Sequence, residues 1–348
     1  MSRQMPNAVT IIMYHFVRDL KHSRYPEIKA LTSSDFTEQI EYIRRYYTVI
    51  SMENLIAAAS PGGQILPPNA LLLTFDDGYI DHFTNVLPVL DKYRIQGSFF
   101  PPVRAITEHR VLDVNKIHFI LASVEDKSKI IRTIFTDIRE NQSEYALESP
   151  ELLHKKMAVA GRYDTAEVVF IKRILQRGLP EELRSKMVDK LFREFVTSDE
   201  AAFARELYMN VEQLEFMRRN GMFIGSHGYD HYWLDSLSND EQEREIDLSL
   251  EFLDRIGCDR KNWVMCYPYG GYNDSLLSLL EMKGCKIGLS VNVGIADLEV
   301  ERPLILSRLD TNDLPKRSKA EPNEWTIRVI EKQKAVISAI AKKSLGRN

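Results

Sequence analysis

Two adjacent acids, Asp76 and Asp77, follow the apolar run LLLTF, and Gly78 comes directly after them. A near-continuous apolar run reads as a strand covered on both faces, which places the pair at the strand's carboxyl end. Neighbouring carboxylates in one cleft repel, so one is expected to pair with a cation while the other stays available as a base. Further along, SHGYDH at 226–231 sets His227 and His231 four residues apart behind a second apolar run, MFIGS. Catalytic zinc commonly takes three protein ligands from His and Asp or Glu and keeps a position open for water or substrate. The two imidazoles share an ion if the chain turns helically after the strand, and one carboxylate of the acid pair completes a two-His, one-Asp set. Successive side chains point apart, so the acids divide the work, Asp77 as ligand and Asp76 as general base for the attacking water. Each signal has a plainer reading by itself, HxxxH as a surface pair and DDG as an ordinary turn. Together, at two strand ends, they point to metal-assisted hydrolysis.

These residues need a scaffold that brings distant strand ends together. Short apolar runs alternate with helical patterns along the chain, the signature of βα units around a parallel sheet or barrel. The strand candidates are AVTIIMY (8–14), ALLLTF (70–75), GSFF (97–100), MFIGS (222–226), WVMCY (263–267), KIGLS (286–290) and LILSRL (304–309). SSDFTEQIEYIRRYY opens with capping residues and repeats apolar side chains at Phe36, Ile40 and Ile43. DEQEREIDLSLEFLDRIG places Ile246, Leu250 and Leu253 on one stripe and stops at Gly257, and NDSLLSLLEMKG ends at Gly284. In α/β barrels the active site gathers at the carboxyl ends of the strands. Two further ends are polar or aromatic here, MYH with His15 and the loop CYPYGGYN. Between about 103 and 220 the alternation breaks into charged helical patterns with no convincing strand. The expected organisation is a discontinuous barrel over 1–102 and 221–315, a helical insertion or lid over 103–220, and a helical segment over 316–348. A structural appendage or an oligomer contact is the alternative for the insertion.

Composition narrows the partners. With 44% hydrophobic residues, 28% charged and a net charge of -4, the 348-residue chain has the profile of a globular protein with no bias toward nucleic acid or acidic membrane. KRSKAEP at 316–322 and the final KKSLGRN read as solvated surface. Cys258, Cys266 and Cys285 cannot all pair and lack zinc-cluster spacing, so they are expected as reduced thiols in a cytoplasmic protein, with Cys266 near the site. The start, MSRQMPNAVTIIMYHF, is too short in apolar length to span a membrane and reads as a first strand, so no transmembrane segment is expected. The oligomeric state is not legible.

The three chemistry-bearing segments, taken in order, resemble the polysaccharide deacetylase superfamily, carbohydrate esterase family 4, whose domain is also called the NodB-homology domain. TFDDG stands complete at 74–78, SHGYDH at 226–231 matches the [ST]HxxxH motif, and YPYGG at 267–271 matches the motif ending in PYG. IIMYHFV near the start is similar to a rearranged subgroup that carries an N-terminal MYH motif. The resemblance implies an α/β fold, a distorted (β/α)7 TIM-like barrel, here with a long helical insertion. It implies Asp76 as base, with Asp77, His227 and His231 as metal ligands. The backbone N–H of Tyr269, with Gly270 beside it, is implied in oxyanion and substrate binding. Family members often take the acid from a late His, but none follows His231; by the subgroup resemblance His15 is the acid that protonates the leaving amine. The Arg that often precedes PYG is replaced by Cys266, and Arg308, at another strand end, is the candidate to support the base.

The expected activity is hydrolysis of an N-acetyl group from an amino sugar or glycan, with surface-polysaccharide biosynthesis as the setting. Zn2+ is the expected ion, and similar sites accept Co2+ or Ni2+. Tyr269, Tyr272 and Trp233 are candidate flat surfaces for a sugar ring. Two rivals stand beside this reading: a hydrolase of a non-sugar amide or ureide on the same scaffold, and a non-catalytic glycan-binding homologue.

Overall fold

All seven apolar runs become parallel strands of one curled sheet. The structure, a computed structural model, describes residues 7–161 and 164–331. The strands are β1 (Ala8–Tyr14), β2 (Ala70–Asp76), β3 (Ser98–Phe100), β4 (Phe223–Ile224), β5 (Val264–Cys266), β6 (Ile287–Val293) and β7 (Leu306–Asp310). Their spatial order is β4-β3-β2-β1-β7-β6-β5. The two ends of this row meet through a parallel bridge between Ser226 and Met265. There the Ser226 N–H donates to Val264 O at 2.9 Å, and the Cys266 N–H donates to Ser226 O at 2.9 Å. The result is the (β/α)7 barrel that the motifs imply. β2 shows why the apolar runs were readable: every one of its seven residues is buried. A fully buried Leu, Ile or Phe contributes about 1.5–3 kcal/mol, so such strands tolerate a charge only at their ends.

The chain divides into two units. The first, Met1–Arg18, Leu31–Glu108 and Leu207–Asn348, contains the barrel. Its helix Ser33–Tyr46 is capped by Thr32, whose hydroxyl accepts from the Asp35 N–H, and buries Phe36, Ile40 and Ile43. The helix Asn239–Arg255 is closed by a capping box between Ser238 and Glu241, and buries Ile246, Leu250 and Leu253. Past the barrel, buried Thr326 bonds to both Tyr42 and Tyr47 and ties the last described segment to the first helix. Of the expected C-terminal helical segment, 332–348 lies outside the described residues.

The second unit, Asp19–Ala30 and His109–Glu206, has no strand among its described residues. Helices Asp113–Ser123, Lys127–Asn141, Ala166–Gln176 and Glu181–Phe195 are its longest elements. Phe119, Phe192 and Phe203 pack edge-to-face at its centre, with Tyr25 against Phe119. Buried Lys116 is neutralised by Asp189 and Glu200. The stretch 19–30 thus belongs with the helices, although nothing in its sequence separates it from the residues around it.

No helix among the described residues is long and apolar enough to cross a membrane.

Candidate active site

Asp76 ends β2, and at Asp77 the backbone changes hand. Asp77 has φ 73° and Gly78 φ 67°, two consecutive left-handed residues that swing the second acid out of the strand's alternation. A non-glycine residue in this region carries strain of about 1 kcal/mol or more. Asp77, His231 and Tyr269 are three of the seven such residues among those described, so the strain gathers at this site. Because of the reversal the two neighbouring carboxylates face different partners.

The Asp77 carboxylate is split between its two oxygens. Oδ2 accepts from the Tyr79 hydroxyl at 2.5 Å. Oδ1 lies 3.4 Å from His227 Nε2 and 3.3 Å from His231 Nε2, is fully buried, and has no hydrogen-bond donor. His227 sits just past β4, and its Nδ1 is 2.7 Å from Cys266 O. A carbonyl only accepts, so Nδ1 carries a proton, and Nε2 is the nitrogen that faces Asp77 and would serve as the ligand atom. Ligands held about 2.1 Å from a tetrahedral zinc lie about 3.4 Å from one another. The observed separations therefore fit a divalent ion, and the unpartnered buried oxygen shows what such an ion would satisfy. Asp77, His227 and His231 are the two-His, one-Asp set expected from the motifs.

The histidines come together without the helical turn expected from their spacing. Gly228 has φ 75° and His231 φ 60°, and the segment is an irregular loop. Glu245, from the helix Asn239–Arg255, explains the shape: one carboxylate oxygen accepts the N–H groups of both Tyr229 and Asp230, at 2.9 and 3.0 Å. A side chain in place of Gly228 would meet that oxygen at 3.2 Å. Arg104 holds the loop from the other side through Asp230 at 2.7 Å. Burial pushes the Glu245 carboxyl up to about 7 against the pull of these two N–H donors.

Asp76 points to Arg308. The guanidinium Nη1 lies 2.9 Å from Asp76 Oδ2 and 3.1 Å from Oδ1, with both side chains almost wholly buried. Arg308 reaches it because the β6–β7 register shifts: Leu306 pairs with Leu289, but Arg308 pairs with Val293. The extra residues on β6 leave Ser290 O to accept the Arg308 Nε–H at 2.8 Å. Burial alone would raise the Asp76 pKa; the Arg308 charge opposes it, and the net direction is below the ordinary carboxylate value. Asp76 is thus ionised at neutral pH. Cys266, in the place where an Arg often precedes PYG, also lies within ligand range of Asp76 and His227. The Arg308 charge beside it makes that second cluster unsuited to a cation.

Arg308→Gln removes the charge that opposes burial. The acid limb of the pH–rate profile should move upward, because Asp76 then takes up its proton at higher pH. Stability should fall by about 3–5 kcal/mol from the unpaired buried carboxylate. Arg308→Lys should return the limb toward its original position; a limb that stays put in both variants would detach Arg308 from the ionisation of Asp76.

The remaining expected residues lie at neighbouring strand ends. His15 follows β1 directly, near enough for its charge to bear on Asp76, Asp77 and His231. Tyr269, in the left-handed turn Pro268–Gly270, sets its ring against His231 at 4.7 Å and stacks on Trp233 at 4.5 Å and 4°. Two of the three candidate sugar platforms therefore pack on each other, and the third, Tyr272, leans on Tyr267. The Gly270 N–H donates to Tyr267 O at 2.9 Å and is engaged within the turn. Gly270 is required for space, since a Cβ there would come within 2.4 Å of Val291. Sequence reasoning missed Tyr79 and Glu245. Tyr79 acts through a turn that strand alternation cannot anticipate, and Glu245 sits in a highly charged helix whose acids read as surface.

Residues 63–137 and 194–288 match the family model described as polysaccharide deacetylase. Those segments include the acid pair, both imidazoles and the PYG turn, whereas His15 and Arg308 fall outside them. YxkH of Bacillus subtilis (strain 168), named as a candidate polysaccharide deacetylase, is 29% identical over 89 residues, 26% of this chain and 32% of its own length. The poly-β-1,6-N-acetyl-D-glucosamine N-deacetylase of Escherichia coli (strain K12) is 33% identical over 96 residues, 27% of this chain and 14% of its own length. The chain thus matches a third or less of either relative's length. Among solved structures, the Streptococcus pyogenes deacetylase PplD superposes with a TM-score of 0.55 at 18% identity, covering 94% of this chain and 98% of that one. IcaB from Ammonifex degensii follows at 0.53 and 16%, covering 94% and 97%. At these identities the likeness is one of fold.

Proposed function

The chain belongs to the polysaccharide deacetylase superfamily, and from that premise we propose that it is a divalent-cation-dependent hydrolase that removes an N-acetyl group from an amino sugar or glycan. The observation that carries the reading is a division of charge in one buried cluster. Two imidazole nitrogens converge on an orphaned carboxylate oxygen to make three ligand atoms, and a second carboxylate beside them is held ionised by its own arginine. Asp77, His227 and His231 would hold the ion, with Zn2+ the first choice for this donor set and Co2+ or Ni2+ as substitutes. Such an ion supplies the Lewis acidity that polarises an acyl carbonyl and makes water nucleophilic near neutral pH.

The protein's own groups account for the protons. Asp76, kept charged by Arg308, accepts one from the attacking water. The amide of Tyr269 would donate to the acyl oxygen as negative charge grows on it. His15 would give a proton to the nitrogen as the C–N bond breaks, so acetate and a free amine leave. His15→Ala should therefore slow turnover by about 10²-fold or more while cation content stays the same. Equal rates in the two proteins would hand the acid role to another group. The N-acetylglucosamine polymer in the Escherichia coli relative's name favours a glycan of that class and a place in surface-polysaccharide assembly.

The deciding experiment incubates the zinc-loaded protein with monomeric, nucleotide-linked and oligomeric N-acetylhexosamines, and follows loss of an acetyl group by mass spectrometry. Release from at least one sugar supports the reading. Turnover of a non-sugar amide or ureide with none of the sugars would replace it, and saturable sugar binding without turnover would make the protein a glycan binder.

A further inference from the structure

One short turn touches both halves of the site. Tyr79 donates its hydroxyl to the Asp77 oxygen that faces away from the histidines, so the other oxygen stays directed at them. Its ring is held on two sides, stacked 3.9 Å from Phe16 and 6.0 Å from Tyr208, and its backbone bridges to Tyr208. Phe16 is the residue after His15, so the stack that fixes the tyrosine also fixes the neighbour of the proton donor. Three residues on, His82 is fully buried in a cage of Phe75, Tyr79 and Phe99. Its Nε2 donates to the backbone oxygen of His15 at 2.9 Å, while Nδ1 is buried without a partner. Between them Asp81 grips Arg18 with two bonds, at 2.8 and 3.1 Å, and anchors the far end of the His15 stretch. The turn is fixed by the His82 N–H bonded to Tyr79 O at 3.0 Å, and a π-helical stretch begins at His82, a feature common at functional sites.

We propose that Tyr79 and His82 are positioning residues that hold, from one turn, the cation-binding carboxylate of Asp77 and the proton-donating His15 in register. This rests on the deacetylase reading for the role of His15, but not for the effect of Tyr79 on cation binding. Loss of an outer hydrogen bond to a metal ligand weakens metal affinity by about 10- to 100-fold, whereas a misplaced catalytic group costs turnover, up to about 10²-fold for a 1 Å shift. The two residues should therefore separate in their effects.

The test uses the full chain and Zn2+ alone as the probe, with affinity measured by competition with a chelating dye. Tyr79→Phe keeps the ring stack and removes only the hydroxyl. It should weaken Zn2+ binding about 10- to 100-fold. His82→Phe fills the aromatic cage without a donor and should lower kcat with unchanged Zn2+ affinity, and His82→Gln, which restores an N–H donor, should recover part of the loss. Unchanged Zn2+ affinity in Tyr79→Phe overturns the first half of the proposal. A kcat loss in His82→Phe that His82→Gln fails to relieve, or a parallel fall in Zn2+ affinity, overturns the second. If His15→Ala is itself without effect, the acid assignment has failed, and the dye competition still decides the role of Tyr79.

Discussion

Asp76→Asn should reduce acetyl release by about 10²- to 10⁴-fold and leave the protein's cation content unchanged. An amide cannot accept the proton of the attacking water, and Asp76 is not among the three atoms that surround the candidate ion. The substitution also leaves the Arg308 charge facing a neutral group in a buried position, so some stability will be lost. Rates should therefore be compared per folded molecule, with folding followed by thermal denaturation and zinc counted by elemental analysis. Turnover equal to that of the parent, in a protein that still binds zinc, would take the base role away from Asp76. Loss of zinc along with activity would instead move Asp76 into the ligand set.

Removing the ion should be as severe. Dialysis against a chelator is expected to bring turnover to the uncatalysed level, and returning Zn2+ should restore it. His231→Ala should prevent the restoration, because two protein ligands remain where catalytic zinc sites ordinarily use three. A second readout does not depend on chemistry. Zn2+ at about 1,000 times its dissociation constant should stabilise the parent by about 4 kcal/mol, and His231→Ala should lose most of that gain. The unpartnered Asp77 oxygen and the two imidazole nitrogens that face it already lie close together, so the ion should satisfy existing groups rather than reshape the loop. A rate that survives exhaustive chelation would exclude the cation-dependent mechanism.

The barrel was legible because its strands are covered on both faces. Runs such as ALLLTF have no other stable place than a buried sheet, and their polar ends then point to the mouth. Loop conformation was not legible in the same way. The spacing of His227 and His231 suggested a helical turn, yet a left-handed Gly228 and two amides drawn to Glu245 give an irregular loop that aims both rings at one point. Arg308 was visible as a charge at a strand end, but its reach to Asp76 depends on a register shift against β6 that nothing in LILSRL announces. Tyr79 escaped notice because its bond to Asp77 exists only after two consecutive left-handed residues. The stretch 19–30 joins the helical unit through contacts such as Tyr25 with Phe119, a long-range pairing that no local pattern encodes.

The first and last barrel strands are immediate neighbours, since β1 lies between β2 and β7. A shortened protein cut to the segment that the family model spans, from 63 to 288, would carry the acid pair, both imidazoles and the PYG turn and still be broken. It would lack His15 and Arg308, and it would leave the flank of β2, with Leu71, Leu72 and Leu73, as a bare apolar edge open to pairing with another molecule. Such a fragment should precipitate rather than work slowly. Trimmed versions for crystallisation or display therefore need to start ahead of Ala8 and run beyond Asp310.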